Sequence, residues 1–148
     1  MMRRIDEVSG QRSWMSASEA ETEEVGERLA ALMSPHAVLL LSGDMGSGKT
    51  VLVRGLARAL GVERREIQSP TYTLIHEHEG AAGRLVHADL YRLEPDDIAG
   101  LGLEEILAGR GLKAIEWPDR LPVAPRGALR VEITAREDGR RQIELLGG

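Results

Sequence analysis

The chain has 148 residues, 42% hydrophobic and 29% charged, with no cysteine and a formal net charge of −5. That composition fits one soluble domain large enough for a core, and it excludes disulfide frameworks and cysteine-ligated metals. The acidic balance argues against autonomous nucleic-acid binding, which rests on a basic excess.

Residues 1–15 are polar and aperiodic and read as a flexible extension or a short edge strand. No apolar stretch follows the basic residues at the start, so a secretory signal is not expected. The remainder, 16–148, reads as a single domain. Ser18 and Glu21 have capping-box spacing, with Ser16 and Glu19 as a second register. Val25, Leu29, Leu32 and Met33 then recur at helical spacing, which predicts an amphipathic helix to about Ser34, closed by Pro35. Ala37–Leu41 is a continuous apolar run, as in a strand buried on both faces. It is the longest such run noted, far short of a membrane span, so a cytoplasmic protein is expected. Lys49–Leu60 reads as a helix ended by Gly61.

The second half is less regular. Strands are predicted at Thr71–Glu77, Leu85–Asp89 and Leu112–Trp117, with helical turns over Pro95–Ala108 interrupted by Gly100 and Gly102. Leu129–Thr134 and Gln142–Leu146, joined through Glu137-Asp138-Gly139, read as a C-terminal hairpin. Strand, glycine-rich turn and helix in that order open a βα unit. The expected fold is a P-loop NTPase-like three-layer α/β/α arrangement with a mixed, mainly parallel sheet.

Gly43-Asp44-Met45-Gly46-Ser47-Gly48-Lys49-Thr50 satisfies G-x-x-x-x-G-K-[ST]. Glycines let backbone N–H groups close around phosphate oxygens, and the following helix directs its N-terminal N–H groups and dipole at them. In that pattern the Lys49 ammonium reaches the β- and γ-phosphates, and the Thr50 hydroxyl is placed to ligate magnesium. A glycine-rich turn with a helix-capping threonine is the plain alternative.

Hydrolysis also needs a second magnesium-side carboxylate and a means of positioning water. Asp89 and Glu116 each end a predicted strand, and carboxyl ends of parallel strands face the ligand crevice. Ser69-Pro70-Thr71-Tyr72-Thr73 has the hydroxyls of a switch that senses the γ-phosphate, or is a turn feeding a strand. Arg92 is a phosphate or partner contact, or a surface charge. No arginine finger is evident near the phosphates. The chain has 17 Arg, with Lys49 and Lys113 as its only lysines, a bias that genome composition explains as readily as a local patch. His76 and His78 share a strand face but lack a third metal ligand. His87 reads as a core histidine.

The segments LSGDMGSGKT, VRGLARALG, SPTYTL, HADLYRL and AIEWPDRL, in that order, closely resemble the TsaE family (also called YjeE) of bacterial P-loop ATPases. The match spans about residues 18–121 and weakens through the C-terminal hairpin. The resemblance implies ATP hydrolysis with Mg2+ in making N6-threonylcarbamoyladenosine on tRNAs that read codons beginning with A. It implies TsaD and TsaB as partners, tRNA contact only through their complex, no membrane partner and a monomer when isolated. By the resemblance Gly46, Ser47, Gly48, Lys49 and Thr50 cradle phosphate, and Thr50 and Glu116 ligate magnesium. Asp89 serves hydrolysis by positioning water, and Trp117 stands beside ATP. Thr22 lies near the adenine, and Arg140 is a C-terminal basic residue near the nucleotide, in a register that the adjacent Arg141 leaves open.

Three rival readings remain at this level. A small P-loop kinase of a metabolite or nucleoside would need a lid and an acceptor pocket. A GTPase would use Asn-Lys-x-Asp, and the chain has no Asn. A non-catalytic adaptor would use nucleotide only to order a docking surface.

Overall fold

The computed structural model describes residues 11–44, 46–63, 66–67 and 75–146. Its first helix, α1 (Glu19–Leu32), starts where the capping signal placed it. Ser18 is extended, and its Oγ accepts from the Glu21 N–H at 3.1 Å. The Glu21 carboxylate returns to the Ala17 N–H at 2.7 Å, one residue before the usual capping-box partner.

The apolar run becomes β2 (Val38–Ser42). After the glycine-rich turn, α2 (Lys49–Leu60) runs between Gly48 and Gly61, both left-handed. A hairpin follows, β3 (Ile75–Gly80) and β4 (Gly83–Asp89), then short helices α3 (Pro95–Ala99) and α4 (Leu103–Ala108) and strand β5 (Leu112–Glu116). The C-terminal hairpin is β6 (Leu129–Ala135) and β7 (Arg141–Leu146). Of the strand predicted at Thr71–Glu77, Ile75–Glu77 lie in β3; Thr71–Leu74 and the switch-like Ser69–Thr73 lie outside the described residues.

The strands form one sheet in the order β1-β7-β6-β2-β5-β4-β3, where β1 is Gln11–Ser16. Neighbours β6, β2, β5 and β4 are parallel; β7 and β3 flank them antiparallel, and β1 closes the β7 edge antiparallel to it. For Gln11–Met15 the edge-strand alternative holds and the flexible extension is corrected, since they pair along β7 from Gln11↔Leu146. Trp14 explains it: its side chain packs against the core between exposed Ser13 and Met15, so the segment has strand alternation. The expected C-terminal hairpin is part of the same sheet, since β6 pairs directly with β2.

Alternation in β2 divides the core. Leu39 and Leu41 join Leu29, Leu52, Leu56, Leu85 and Ile143 under α1 and α2. Leu40 joins Ala88, Leu93, Ile98, Leu103 and Ile115 under α3 and α4 on the opposite face. Each buried leucine contributes about 1.5–3 kcal/mol, so both helical layers are held by the same strand. Helices α1 and α2 cross where Gly26 meets Gly55. A Cβ on Gly55 would lie 2.1 Å from the Glu23 carbonyl oxygen, so only glycine permits that approach. No helix among the described residues is long and apolar enough to cross a membrane.

Candidate functional site at the phosphate loop

The parallel core delivers β2, β4 and β5 with their carboxyl ends together. The turn after β2 bends through Gly46 (φ 75°) and Gly48 (φ 113°), conformations that side chains with a Cβ rarely adopt. It ends at the N-terminus of α2, whose first N–H groups have no intrahelical acceptor. Ser47 Oγ is buried beside them with no hydrogen-bond partner among the described residues.

Lys49 is 6% exposed. Its Nζ donates to the Gly43 carbonyl and, at 3.3 Å, to that of Asp44, and lies 4.1 Å from the centre of the Trp117 ring. Burial pushes its pKa down, opposed by the nearby carboxylates of Glu116, Asp89, Asp44 and Asp119.

Thr50 Oγ1 donates to Glu116 Oε2 at 3.2 Å, so α2 and β5 bring a hydroxyl and a carboxylate oxygen face to face. These are oxygen donors of the kind magnesium takes. Asp89 stands beside Glu116 in the parallel register, and its Oδ1 accepts the Tyr91 N–H at 3.0 Å. Burial holds the Asp89 carboxyl above the usual carboxylate range; the Tyr91 N–H draws it back, Glu116 raises it, and His87 and Lys49 lower it. Trp117, directly after Glu116, is the one non-glycine residue at positive φ among the described residues (φ 60°). Such a conformation costs on the order of 1–3 kcal/mol and gathers at functional sites. Here the ring lies over Lys49 and 4.8 Å from the Tyr91 ring.

These groups line one cleft of about 570 Å³, whose far wall is built by α1 and the C-terminal hairpin. Thr22 lines it, 3% exposed, its hydroxyl 2.7 Å from Ser16 Oγ and 3.2 Å from the Ser18 carbonyl oxygen. The structure thus brings Thr22, Gly46, Ser47, Gly48, Lys49, Thr50, Asp89, Glu116 and Trp117 around one space. It does not bring Arg140. That residue lies in the hairpin turn, exposed, with its Nε 2.8 Å from Asp138 Oδ2. Arg141 opens β7 and enters the cleft instead, its Nη1 donating to the Gly46 carbonyl at 2.7 Å. The Asp138–Arg140 turn closure decides which of the two arginines is available. Arg92, read from the sequence as a phosphate or partner contact or a surface charge, lines the cleft together with Arg141.

His87 carries more than a core role. It is fully buried, and its Nε2 lies 2.6 Å from Glu116 Oε2. The signal in the sequence was alternation, which puts Leu85, His87 and Asp89 on one face of β4. His76 and His78 make an edge-to-face ring contact at 6.0 Å, and no group of three His, Asp or Glu among the described residues could hold a metal.

A glycine-rich loop feeding a helix N-terminus at the carboxyl end of a parallel core, with acidic residues ending β4 and β5, defines a P-loop NTPase-like fold. A family model described as "Threonylcarbamoyl adenosine biosynthesis protein TsaE" matches residues 16–143. The tRNA threonylcarbamoyladenosine biosynthesis protein TsaE of Nostoc sp. is 40% identical over 133 residues, covering 87% of this chain and 82% of its own. Its namesake in Bacillus subtilis is 36% identical over 134 residues, covering 90% and 84%. The crystal structure of Bacillus subtilis YdiB superposes with a TM-score of 0.75 at 31% identity, covering 93% of this chain and 86% of that one. The chain belongs to the TsaE family.

Proposed function

We propose that this chain is a magnesium-dependent ATP-binding and ATP-hydrolysing subunit that supports formation of N6-threonylcarbamoyladenosine on tRNAs reading codons beginning with A. It acts with TsaD and TsaB and meets tRNA only through that assembly. The observation that carries the reading is the Thr50–Glu116 contact of 3.2 Å at the end of the phosphate loop, with Lys49 and Asp89 beside it.

The residues fit the nucleotide and its metal. Ser47 Oγ is a buried polar atom in need of a partner, Gly48 is open enough for a phosphate to approach the backbone, and the Thr50–Glu116 pair offers two hard oxygens. Magnesium held by Thr50 and Glu116 would neutralise charge on the phosphates. Lys49 binds phosphate, and its partial desolvation strengthens that attraction. Asp89, half-buried and fixed by the Tyr91 N–H, accepts a hydrogen bond from water and orients it. Thr22 walls the cleft near the adenine, and Trp117, over Lys49, stands beside the bound ATP. Arg141 already gives its Nη1 to the Gly46 carbonyl, which supports slow turnover alone and stimulation by partners.

The test is steady-state ATP hydrolysis by the purified chain, with and without a TsaB–TsaD pair, using Lys49→Ala as blank. Slow turnover that rises with the pair and vanishes in the variant is expected. Hydrolysis indifferent to the pair removes the partnership, and ADP formation that depends on an added acceptor restores the kinase reading.

A further inference from the structure

Glu116 Oε2 has two partners. One is the Thr50 hydroxyl at 3.2 Å; the other, closer, is His87 Nε2 at 2.6 Å. A carboxylate can only accept, so the proton of the second contact sits on the imidazole nitrogen. The other ring nitrogen, Nδ1, is buried with no hydrogen-bond partner among the described residues. A core histidine kept for stability alone would be expected to satisfy both nitrogens; here the described bonding of the ring goes to Glu116.

The backbone explains how the contact is set. His87 pairs with Ala114 in the parallel register of β4 and β5, and Glu116 follows Ala114 by two residues on the same face. The small side chain at Ala114 leaves the imidazole room to reach along β5. The ring is fully buried in a strand paired on both sides, with His76 opposite it on β3. Burial confines the ring, and its Nε2 meets the same Glu116 Oε2 that accepts from Thr50.

We propose that His87 is a positioning residue, which orients Glu116 toward Thr50 and so sets the affinity of that oxygen pair for magnesium. This rests on the reading of Thr50 and Glu116 as the magnesium-side pair. Removing an outer partner of a metal-ligating carboxylate typically weakens metal binding about 10- to 100-fold.

The experiment compares His87→Gln with His87→Asn. The Gln amide nitrogen reaches the place of Nε2, whereas the shorter Asn stops near the place of Nδ1. ADP binding is measured by calorimetry at fixed pH, first in EDTA and then across a magnesium titration. Expected are EDTA affinities equal to wild type in both variants, a magnesium half-saturation raised about 10-fold or more in His87→Asn, and recovery of most of that shift in His87→Gln. Equal shifts in the two variants, or no shift in His87→Asn, overturn the proposal. Wild-type ADP binding that ignores magnesium overturns the magnesium reading itself, and the proposal with it. Should either variant fail to fold, NMR on the unsubstituted chain decides. A solvent-protected His87 Nε2 proton that shifts in Glu116→Gln and on magnesium addition supports the proposal, and its absence overturns it.

Discussion

The chain's two lysines are both buried, at opposite ends of the parallel core, and they teach how a functional charge differs from a structural one. Lys113, on β5, is 1% exposed and donates from Nζ to the carbonyls of His36 at 3.0 Å and Gly109 at 2.5 Å. Burial alone lowers its pKa. Lys49, on α2, also donates to two carbonyls, but it sits in the cleft, under an aromatic ring and among four carboxylates that oppose its desolvation. Lys113 has acceptors that close its account with the fold. Lys49 has charge around it beyond what the fold uses, the signature of a group arranged for a ligand.

The largest expected effects break this comparison directly. Lys49→Ala should lower ATP hydrolysis by about 10²–10³-fold, the usual loss for a group that stabilises transferring charge. Thermal stability should stay near wild type, because Lys49 lines the cleft and its truncation widens that open space, leaving no sealed cavity. Lys113→Ala should do the reverse. It truncates one of the largest fully buried side chains and removes two charge-assisted hydrogen bonds, to the His36 and Gly109 carbonyls, each worth about 1.5–3 kcal/mol. A loss of about 2 kcal/mol would lower Tm by roughly 4–8 °C, with nucleotide affinity unchanged well below the transition. Hydrolysis assays and thermal unfolding on both variants check the crossover; two variants with the same profile would erase the distinction.

The same contrast marks what could be read from the sequence. The end holding Lys49 was legible because the phosphate loop is local: eight consecutive residues, an apolar strand before, a helix after. Asp89 and Glu116 were legible because strand ends follow from apolar runs. The Lys113 anchor was not, because its acceptors come from His36 and Gly109 and depend on how the α1–β2 turn meets the β5 entry. His87 was placed in a buried strand, but its bond to Glu116 is set by the β4–β5 register, which one strand's pattern does not contain. Trp14 was missed as a core residue because a single aromatic among polar neighbours carries no period, and its partner β7 lies at the other end of the chain. Arg140 and Arg141 were indistinguishable until the hairpin turn tied Arg140 to Asp138 and left Arg141 facing the phosphate loop.

That arginine pair gives the next effect. Arg141→Ala removes a charge-assisted bond to the Gly46 carbonyl, worth about 1.5–3 kcal/mol. Nucleotide affinity should fall about 10-fold or more, since 1.4 kcal/mol is tenfold. Arg140→Ala breaks only an exposed, solvent-screened pair with Asp138, and affinity should stay within about twofold of wild type. Calorimetric titration with a slowly hydrolysed ATP analogue reads both. Equal losses would mean that the hairpin tip acts as a unit, not through Arg141.

The smallest effect probes whether burial or the neighbouring cations govern the cleft carboxylate. Asp89 titrates above its ordinary 3.8 in the fold, with burial the leading cause and Lys49 and His87 pulling the other way. The folded chain therefore holds the Asp89 proton more tightly than the unfolded chain does. Its favourable contribution is complete below about pH 3.8 and is lost as pH rises through the folded value. At neutral pH the ionised carboxyl therefore costs stability, an effect that solvent screening of a half-buried group keeps small. Asp89→Asn keeps the oxygen that accepts the Tyr91 N–H and removes the charge. It should be the more stable protein at pH 7, while hydrolysis falls. The stability gap should close as pH drops through the raised folded value toward 3.8. Urea unfolding of both proteins across that range measures the gap. A gap of the opposite sign at pH 7 would mean that Lys49 and His87 outweigh desolvation and hold Asp89 ionised. Asp89 would then join Lys49 in a structural ion pair, and the cleft end of the sheet would resemble the Lys113 end after all.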